Sequence, residues 1–218
     1  MKLRRRAIGL GQDAVRAAGT LEAGPLDAAI AALRAAHAAS RGVYNPNASI
    51  TKLAKRRMEL AGLSELPLIA APRAKGVGTD TACLAIACGP LPELFGDQPV
   101  AVAGMNAGRF FLFSTGADGR YSCALRLAEA EAPFLKPGEY KLVVEATPPF
   151  RLNMTVGRIF FGAAEDVARG TSVPAADGAW TGQVVSLRSG RGLRHVATLI
   201  PGAAPVSPFH AIPEMREL

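Results

Sequence analysis

One stretch of the chain, residues 108–127, strongly favours β structure over helix. It begins with the apolar run Arg109–Thr115 and ends with Arg120–Leu127, where apolar and polar side chains alternate. A period of two places alternate side chains on opposite faces of a strand. Between the runs, Gly116-Ala117-Asp118-Gly119 holds two glycines and an aspartate, which are residues that tight turns use. The stretch therefore predicts a β-hairpin at the centre of a β-rich core.

The first strand of this hairpin carries four large apolar side chains in succession, from Phe110 to Phe113. Consecutive residues point to opposite faces, so both faces of the strand are apolar. Either both faces are buried, under a helix such as Ala48–Ala61, or one face is an exposed patch for a partner. Under the second alternative the candidate partner patch is Phe110, Phe111 and Phe113.

Further runs with strand character lie on both sides of the hairpin, and turn residues separate them. They are Thr79–Cys88, Val100–Ala103, Glu139–Ala146, Arg151–Val156, Ile159–Phe161, Trp180–Leu187 and Leu193–Ile200. Gly157-Arg158 predicts a two-residue hairpin turn, and Arg73–Asp80, Pro90–Pro99 and Gly162–Gly178 predict connecting loops. About ten short strands predict a mainly β (α+β) protein, an antiparallel β-sandwich or barrel.

The N-terminal part has helical rather than strand character. Pro25–Ser40 and Ala48–Ala61 have helix-forming patterns with suitable start and stop residues, and Lys2–Ala18 is a weaker third candidate. The sequence therefore predicts a region of two or three helices at residues 1–65, a β-rich body at 66–200, and an extended, proline-rich tail at 201–218.

Charge is distributed unevenly along the 218 residues, whose formal net charge is +7. Residues 1–75 carry 13 Lys and Arg against 5 Asp and Glu, a net of +8, and the remaining 12 and 13 give −1. Such asymmetry indicates an acidic partner such as nucleic acid, an anionic membrane or an acidic protein, or else simply a solvated helical surface. The candidate contact residues are Arg4, Arg5, Arg6, Lys52, Lys55, Arg56 and Arg57.

No reactive constellation is visible in the sequence. The three cysteines, Cys83, Cys88 and Cys123, lack metal-binding spacing, and no nucleophile motif is present. An enzyme would have to use Cys123 or Ser122 with His195, but the alternation around Cys123 and His195 favours packing in a core. We therefore predict no catalytic residue, no cofactor and no metal.

Location is constrained by what the sequence lacks. No apolar run approaches the roughly 20 residues that a membrane-spanning helix needs. Polar residues interrupt the basic N-terminus where a secretory signal would be apolar. An odd cysteine count without paired spacing fits a reducing compartment. We predict an intracellular, cytoplasmic protein or a component within a particle.

Three turn-forming runs resemble small bacterial β-rich families, some of them associated with toxin–immunity loci. The runs are Gly78-Thr79-Asp80-Thr81-Ala82, Asp118-Gly119-Arg120-Tyr121 and Val156-Gly157-Arg158-Ile159. The basic charge of this chain departs from the acidic character common among immunity proteins. No function is transferred from these families.

Three functions remain open. The first is a non-catalytic structural or assembly protein, such as a phage or virion-like component. Its β body would dock on protein neighbours, with homo-oligomers among the options, and its basic region would contact nucleic acid or an acidic surface. The alternative is a bacterial immunity-type or adaptor protein that binds a single protein partner. The third is an enzyme whose site the sequence does not reveal.

Overall fold

The computed structural model describes residue 53 and residues 66–93, 96–130, 134–155, 157–190, 192–203 and 206–215. Apart from Leu53, the predicted N-terminal helices lie outside these ranges, as do the seven basic candidate contact residues. The chain divides into two compact units, Met1–Leu66 with Leu135–Val143, and Pro67–Phe134 with Val144–Leu218. The β-rich body belongs to the second unit.

The described elements are mostly strands, which confirms the mainly β class. In chain order they are β1 (Leu68–Ala70), β2 (Lys75–Thr79), β3 (Cys83–Ala87), helix α1 (Gln98–Asn106), β4 (Phe110–Ser114), β5 (Gly119–Ala128), a 3-10 helix (Pro137–Leu142), β6 (Val143–Ala146), β7 (Phe150–Met154), β8 (Arg158–Ala163), β9 (Asp166–Pro174), β10 (Gly178–Ser189) and β11 (Gly192–Pro201). No helix among the described residues is long and apolar enough to cross a membrane.

These strands form two sheets. The seven-stranded sheet has the order β1-β5-β11-β10-β6, with β2 also paired to β5 and β7 also paired to β10. The four-stranded sheet has the order β4-β3-β8-β9 and is antiparallel. In the larger sheet β5 and β11 are parallel, which corrects the prediction of a purely antiparallel fold. Parallel neighbours need a long connection, so no local turn signal announces them.

The predicted hairpin at residues 108–127 is wrong, although both of its strands exist. β4 pairs with β3 in the four-stranded sheet, and β5 pairs with β2 in the seven-stranded sheet. The Thr115 amide donates to the carbonyl of Ala82 at 2.8 Å, so the chain keeps contact with the β3 side before it crosses over. Gly116, with a φ of 77°, then turns the chain towards the other sheet.

The turn predicted at Gly157-Arg158 is a second crossover of this kind. β7 lies in the seven-stranded sheet and β8 in the four-stranded sheet, so the two strands do not form a hairpin. Gly157 does adopt a positive φ of 69°. Glycine-rich turns that link two layers therefore have the same local sequence signal as turns that link neighbouring strands.

Four more predicted elements are corrected. Residues 100–103 lie in α1 rather than in a strand, since the Asp97 side chain accepts a hydrogen bond from the Val100 amide at 3.2 Å and Pro99 occupies the first turn. The strand predicted at 139–146 begins only at Val143, after the 3-10 helix. The loops predicted at 73–80 and 162–178 contain β2 and β9. By contrast, the predicted strands 180–187 and 193–200 are confirmed as the antiparallel hairpin of β10 and β11.

Both faces of β4 are buried, which overturns the candidate partner patch. Phe110, Phe111 and Phe113 are 3%, 0% and 0% exposed. On the face towards the seven-stranded sheet, Phe111 stacks on Phe150 of β7 with ring centroids 4.0 Å apart. On the other face α1 approaches so closely that a Cβ at Gly104 would overlap the Phe110 ring. Helix α1 therefore covers this face, while the helix predicted at Ala48–Ala61 lies, apart from Leu53, outside the described residues.

Candidate functional site

Three neighbouring strands of the seven-stranded sheet align three side chains that could in principle react. In the strand register His195 of β11 lies opposite Ser186 of β10 on one side and opposite Cys123 of β5 on the other. All three are buried, and Cys123 belongs to the core cluster between the sheets. We call Ser186, His195 and Cys123 the polar row. Because it aligns three potentially reactive side chains, it is the candidate catalytic site of this fold.

The histidine is held firmly within this row. His195 Nδ1 and Ser186 Oγ are 2.8 Å apart and share a hydrogen bond, and the His195 side chain is buried, with the residue 1% exposed. The imidazole meets the ring of Phe113 edge-on, with centroids 5.5 Å apart, and Tyr121 lies at the same distance. The buried Nε2 atom has no hydrogen-bond partner. Neither ring nitrogen therefore bonds a carboxylate that would orient it as a catalytic base.

Burial moves both titratable groups of the row away from reactive states. Desolvation lowers the pKa of His195 from 6.5 to about 4 and raises the pKa of the Cys123 thiol to about 12. A cysteine nucleophile needs the opposite, a thiolate stabilised by an adjacent base or cation. Within the described ranges no group of three His, Cys, Asp or Glu residues is placed to hold a metal ion. The polar row is thus built for packing.

The sequence foresaw part of this arrangement. The alternation around Cys123 and His195 predicted that both pack in the core, and their burial agrees with that. Ser186 was not identified from the sequence. Its position opposite His195 was nevertheless predictable, since the register of the β10–β11 hairpin follows from the short turn near Gly190. The pairing of Cys123 with His195 had no sequence signal, because it arises from the parallel contact of distant strands.

We predict that Cys123 resists alkylation in the folded protein. With a pKa of about 12 and no exposed surface, its thiol is almost entirely protonated and shielded at about pH 8. Iodoacetamide followed by peptide mass spectrometry should modify the half-buried Cys83 long before Cys123, and should modify both in concentrated urea. Rapid native labelling of Cys123 would show that the polar row is open to solvent.

A second feature is a cleft of about 240 Å³ beside the β8–β9 turn, lined by Pro90–Glu93 and Ala164–Ala168. Burial pushes the pKa of Glu165 upwards, but hydrogen bonds from the Asp80 amide (2.8 Å) and the hydroxyls of Thr81 (2.8 Å) and Thr79 (3.2 Å) outweigh it and lower that pKa. Glu165 thus fastens the β2–β3 turn to the β8–β9 turn and is held as a carboxylate.

A third feature is the edge of the seven-stranded sheet formed by β1. Ile69, in the middle of this three-residue strand, is 57% exposed and is the most exposed large apolar side chain among the described residues. Pro67 and Pro72 bracket the strand. Prolines at a sheet edge limit the addition of a long strand, because they lack an amide donor. The edge therefore offers a small apolar contact point.

No known protein family and no curated protein matches the chain. Two solved structures match part of the chain, at low identity. The first, described as "Crocagin biosynthetic gene J", has 10% identity and a TM-score of 0.46, and the match covers 62% of this chain and 100% of that one. The second, ComJ from Bacillus subtilis, described as an inhibitor of the DNA degrading activity of NucA, has 8% identity and a TM-score of 0.45, with 61% and 98% covered.

Proposed function

We propose that this protein is a non-catalytic binding protein of the immunity or adaptor type, which engages a single protein partner through the β1 edge. The exposure of Ile69 on that edge is the observation that carries the proposal. Of the candidates for catalysis, Cys123 is held in the core as a protonated thiol, and burial makes the His195 imidazole a weak base. The groups available to a partner are therefore the exposed side chains of the surface.

The β1 edge has the features of a compact anchor. β1 is the terminal strand in the sheet order, so its outer side pairs with no further strand of the sheet among the described residues. Because two prolines limit strand addition here, an apolar pocket on the partner would receive the Ile69 side chain. Burying an exposed aliphatic side chain of this size contributes roughly 1.5–3 kcal/mol to binding.

Affinity capture with the full chain tests this proposal. Wild-type protein should retain one partner at one-to-one stoichiometry from cells of its source, and Ile69→Asp should weaken that complex by about tenfold to a hundredfold, the equivalent of roughly 1.5–3 kcal/mol. Ala168→Asp is the matched control, since Ala168 is exposed on β9 of the other sheet. If Ile69→Asp and Ala168→Asp retain the partner equally, the β1 edge is not the binding site.

The charge of the first 75 residues favours a second candidate, an assembly protein that contacts nucleic acid. Counterion release would make such binding strongly dependent on salt. Replacing Lys52, Lys55, Arg56 and Arg57 together by glutamine should then abolish binding to a random-sequence DNA duplex. Absence of salt-dependent DNA binding by the wild-type chain would eliminate this candidate and leave the protein-binding proposal untouched.

A further inference from the structure

The described part of the C-terminal tail, residues 206–215, lies along β4 in the manner of a bound peptide. The Ser114 amide donates to the Pro213 carbonyl at 2.8 Å, and the Met215 amide donates to the Ser114 carbonyl at 2.7 Å. These bonds form a parallel bridge between Ser114 and Glu214 at the edge of the four-stranded sheet. The tail thus occupies an edge that β4 would otherwise leave open.

A second set of contacts holds the tail further upstream. The Asn106 side chain, at the end of α1, donates to the Phe209 carbonyl at 3.0 Å and accepts from the Phe209 amide at 2.7 Å. This two-bond clamp reads only the backbone, so it fixes the position of the tail without selecting its side chains. The clamp at Phe209 and the β4 bridge at Glu214 are five residues apart along the tail.

Two apolar side chains anchor the same segment. The Phe209 ring packs against Phe111 with centroids 5.6 Å apart, and it is 8% exposed. Met215 is 2% exposed and belongs to the core cluster. Strand-addition sites combine main-chain hydrogen bonds, which give affinity, with pockets for a few side chains, which give specificity. The clamp, the bridge and the two anchors together meet this description.

We propose that the groove formed by Asn106, β4 and Phe111 is an exchangeable strand-binding site, and that a second copy of this chain can fill it with its own residues 206–215. The contacts are the same whether the segment comes from the same chain or from another. The two states therefore differ only in entropy, because a segment from another chain is not tethered to the groove that it fills. The groove lies on the four-stranded sheet, whereas β1 belongs to the seven-stranded sheet, so this proposal is independent of the proposed function.

Complementation between two full-length variants tests the exchange. Asn106→Ala impairs the groove but keeps the segment intact, and Phe209→Ala impairs the segment but keeps the groove intact. Mixed together, they should form a one-to-one heterodimer by native mass spectrometry, because the intact segment of the first fills the intact groove of the second. Each variant alone should remain mainly monomeric at the same concentration. Absence of the heterodimer, with both variants folded by circular dichroism, would overturn the proposal.

A peptide measurement gives an independent readout. A fluorescent peptide of residues 206–215 should bind the Phe209→Ala chain at least about tenfold more tightly than it binds wild type, whose own segment competes at high effective concentration. The control peptide carries alanine in place of Phe209 and Met215 and should not bind either chain. If the folded Phe209→Ala chain binds neither peptide, the tail is a permanent part of the fold and the proposal is overturned. Equal binding of both peptides would also overturn it, because Phe209 and Met215 would then not select the occupant. If it binds a different protein at this groove but not the peptide, the proposed occupant is wrong.

Discussion

Replacing Phe111 by alanine should lower the free energy of unfolding by about 3–5 kcal/mol, the range for truncating a buried phenylalanine. Phe111 has no exposed surface and lies at the junction of three parts of the fold. Its ring stacks on Phe150 of the opposite sheet at 4.0 Å and packs against Phe209 of the tail at 5.6 Å. Alanine would leave a cavity between the two sheets that rigid strands fill poorly.

Urea denaturation followed by circular dichroism measures this loss. Ile69→Ala serves as the control, because Ile69 is 57% exposed and its truncation should change stability by no more than about 0.5 kcal/mol. A loss below about 1 kcal/mol for Phe111→Ala would mean that the ring is not enclosed. In that case Phe111 would again be a candidate for an exposed apolar patch that binds a partner, which is one of the two alternatives from the sequence.

The second large effect is a loss of stability in acid that depends on His195. The pKa of His195 is about 4 in the folded chain and near 6.5 when the residue is exposed. Between these values the unfolded chain binds a proton that the folded chain does not, so stability falls as pH falls. The effect is absent above pH 6.5 and amounts to about 3 kcal/mol once pH reaches about 4.

Comparison with His195→Gln isolates this contribution from that of the carboxylates. Glutamine is neutral throughout, so the variant should show a much flatter loss of stability between pH 6.5 and about 4 than wild type. Wild-type protein with the same pH profile as the variant would show that His195 titrates freely, and that the polar row is hydrated. NMR titration of the imidazole gives the same answer directly, with a pKa of about 4 expected.

The parts of the fold that the sequence predicted are those decided by local patterning. Alternation in residues 180–187 and 193–200, with a glycine-containing turn between them, predicted the hairpin of β10 and β11. The same reasoning failed at residues 108–127, since the turn there links two layers. A turn signal states only that the chain changes direction. Which strand it meets next depends on core packing between distant residues.

The site was less predictable than the fold for the same reason. The burial of Cys123 and His195 followed from alternation within each strand, while their alignment required the parallel contact of β5 and β11. Helix α1 was not predicted, because Val100–Ala103 has the composition of a strand. In the structure the Asp97 side chain caps the helix, and this local interaction outweighs the strand preference of those residues. Ile69 gave no signal, because exposure at a sheet edge depends on where β1 lies in the strand order.

Hydrogen–deuterium exchange on the captured one-to-one complex tests the central claim, that this protein acts by binding a partner at the β1 edge. In the free chain the outward amides of Leu68–Ala70 have no strand beyond them in the described sheet and should exchange quickly. The peptide spanning these residues should become protected in the complex, while the peptide spanning exposed residues of β9 should not. Unchanged exchange at Leu68–Ala70, with protection elsewhere, would contradict it.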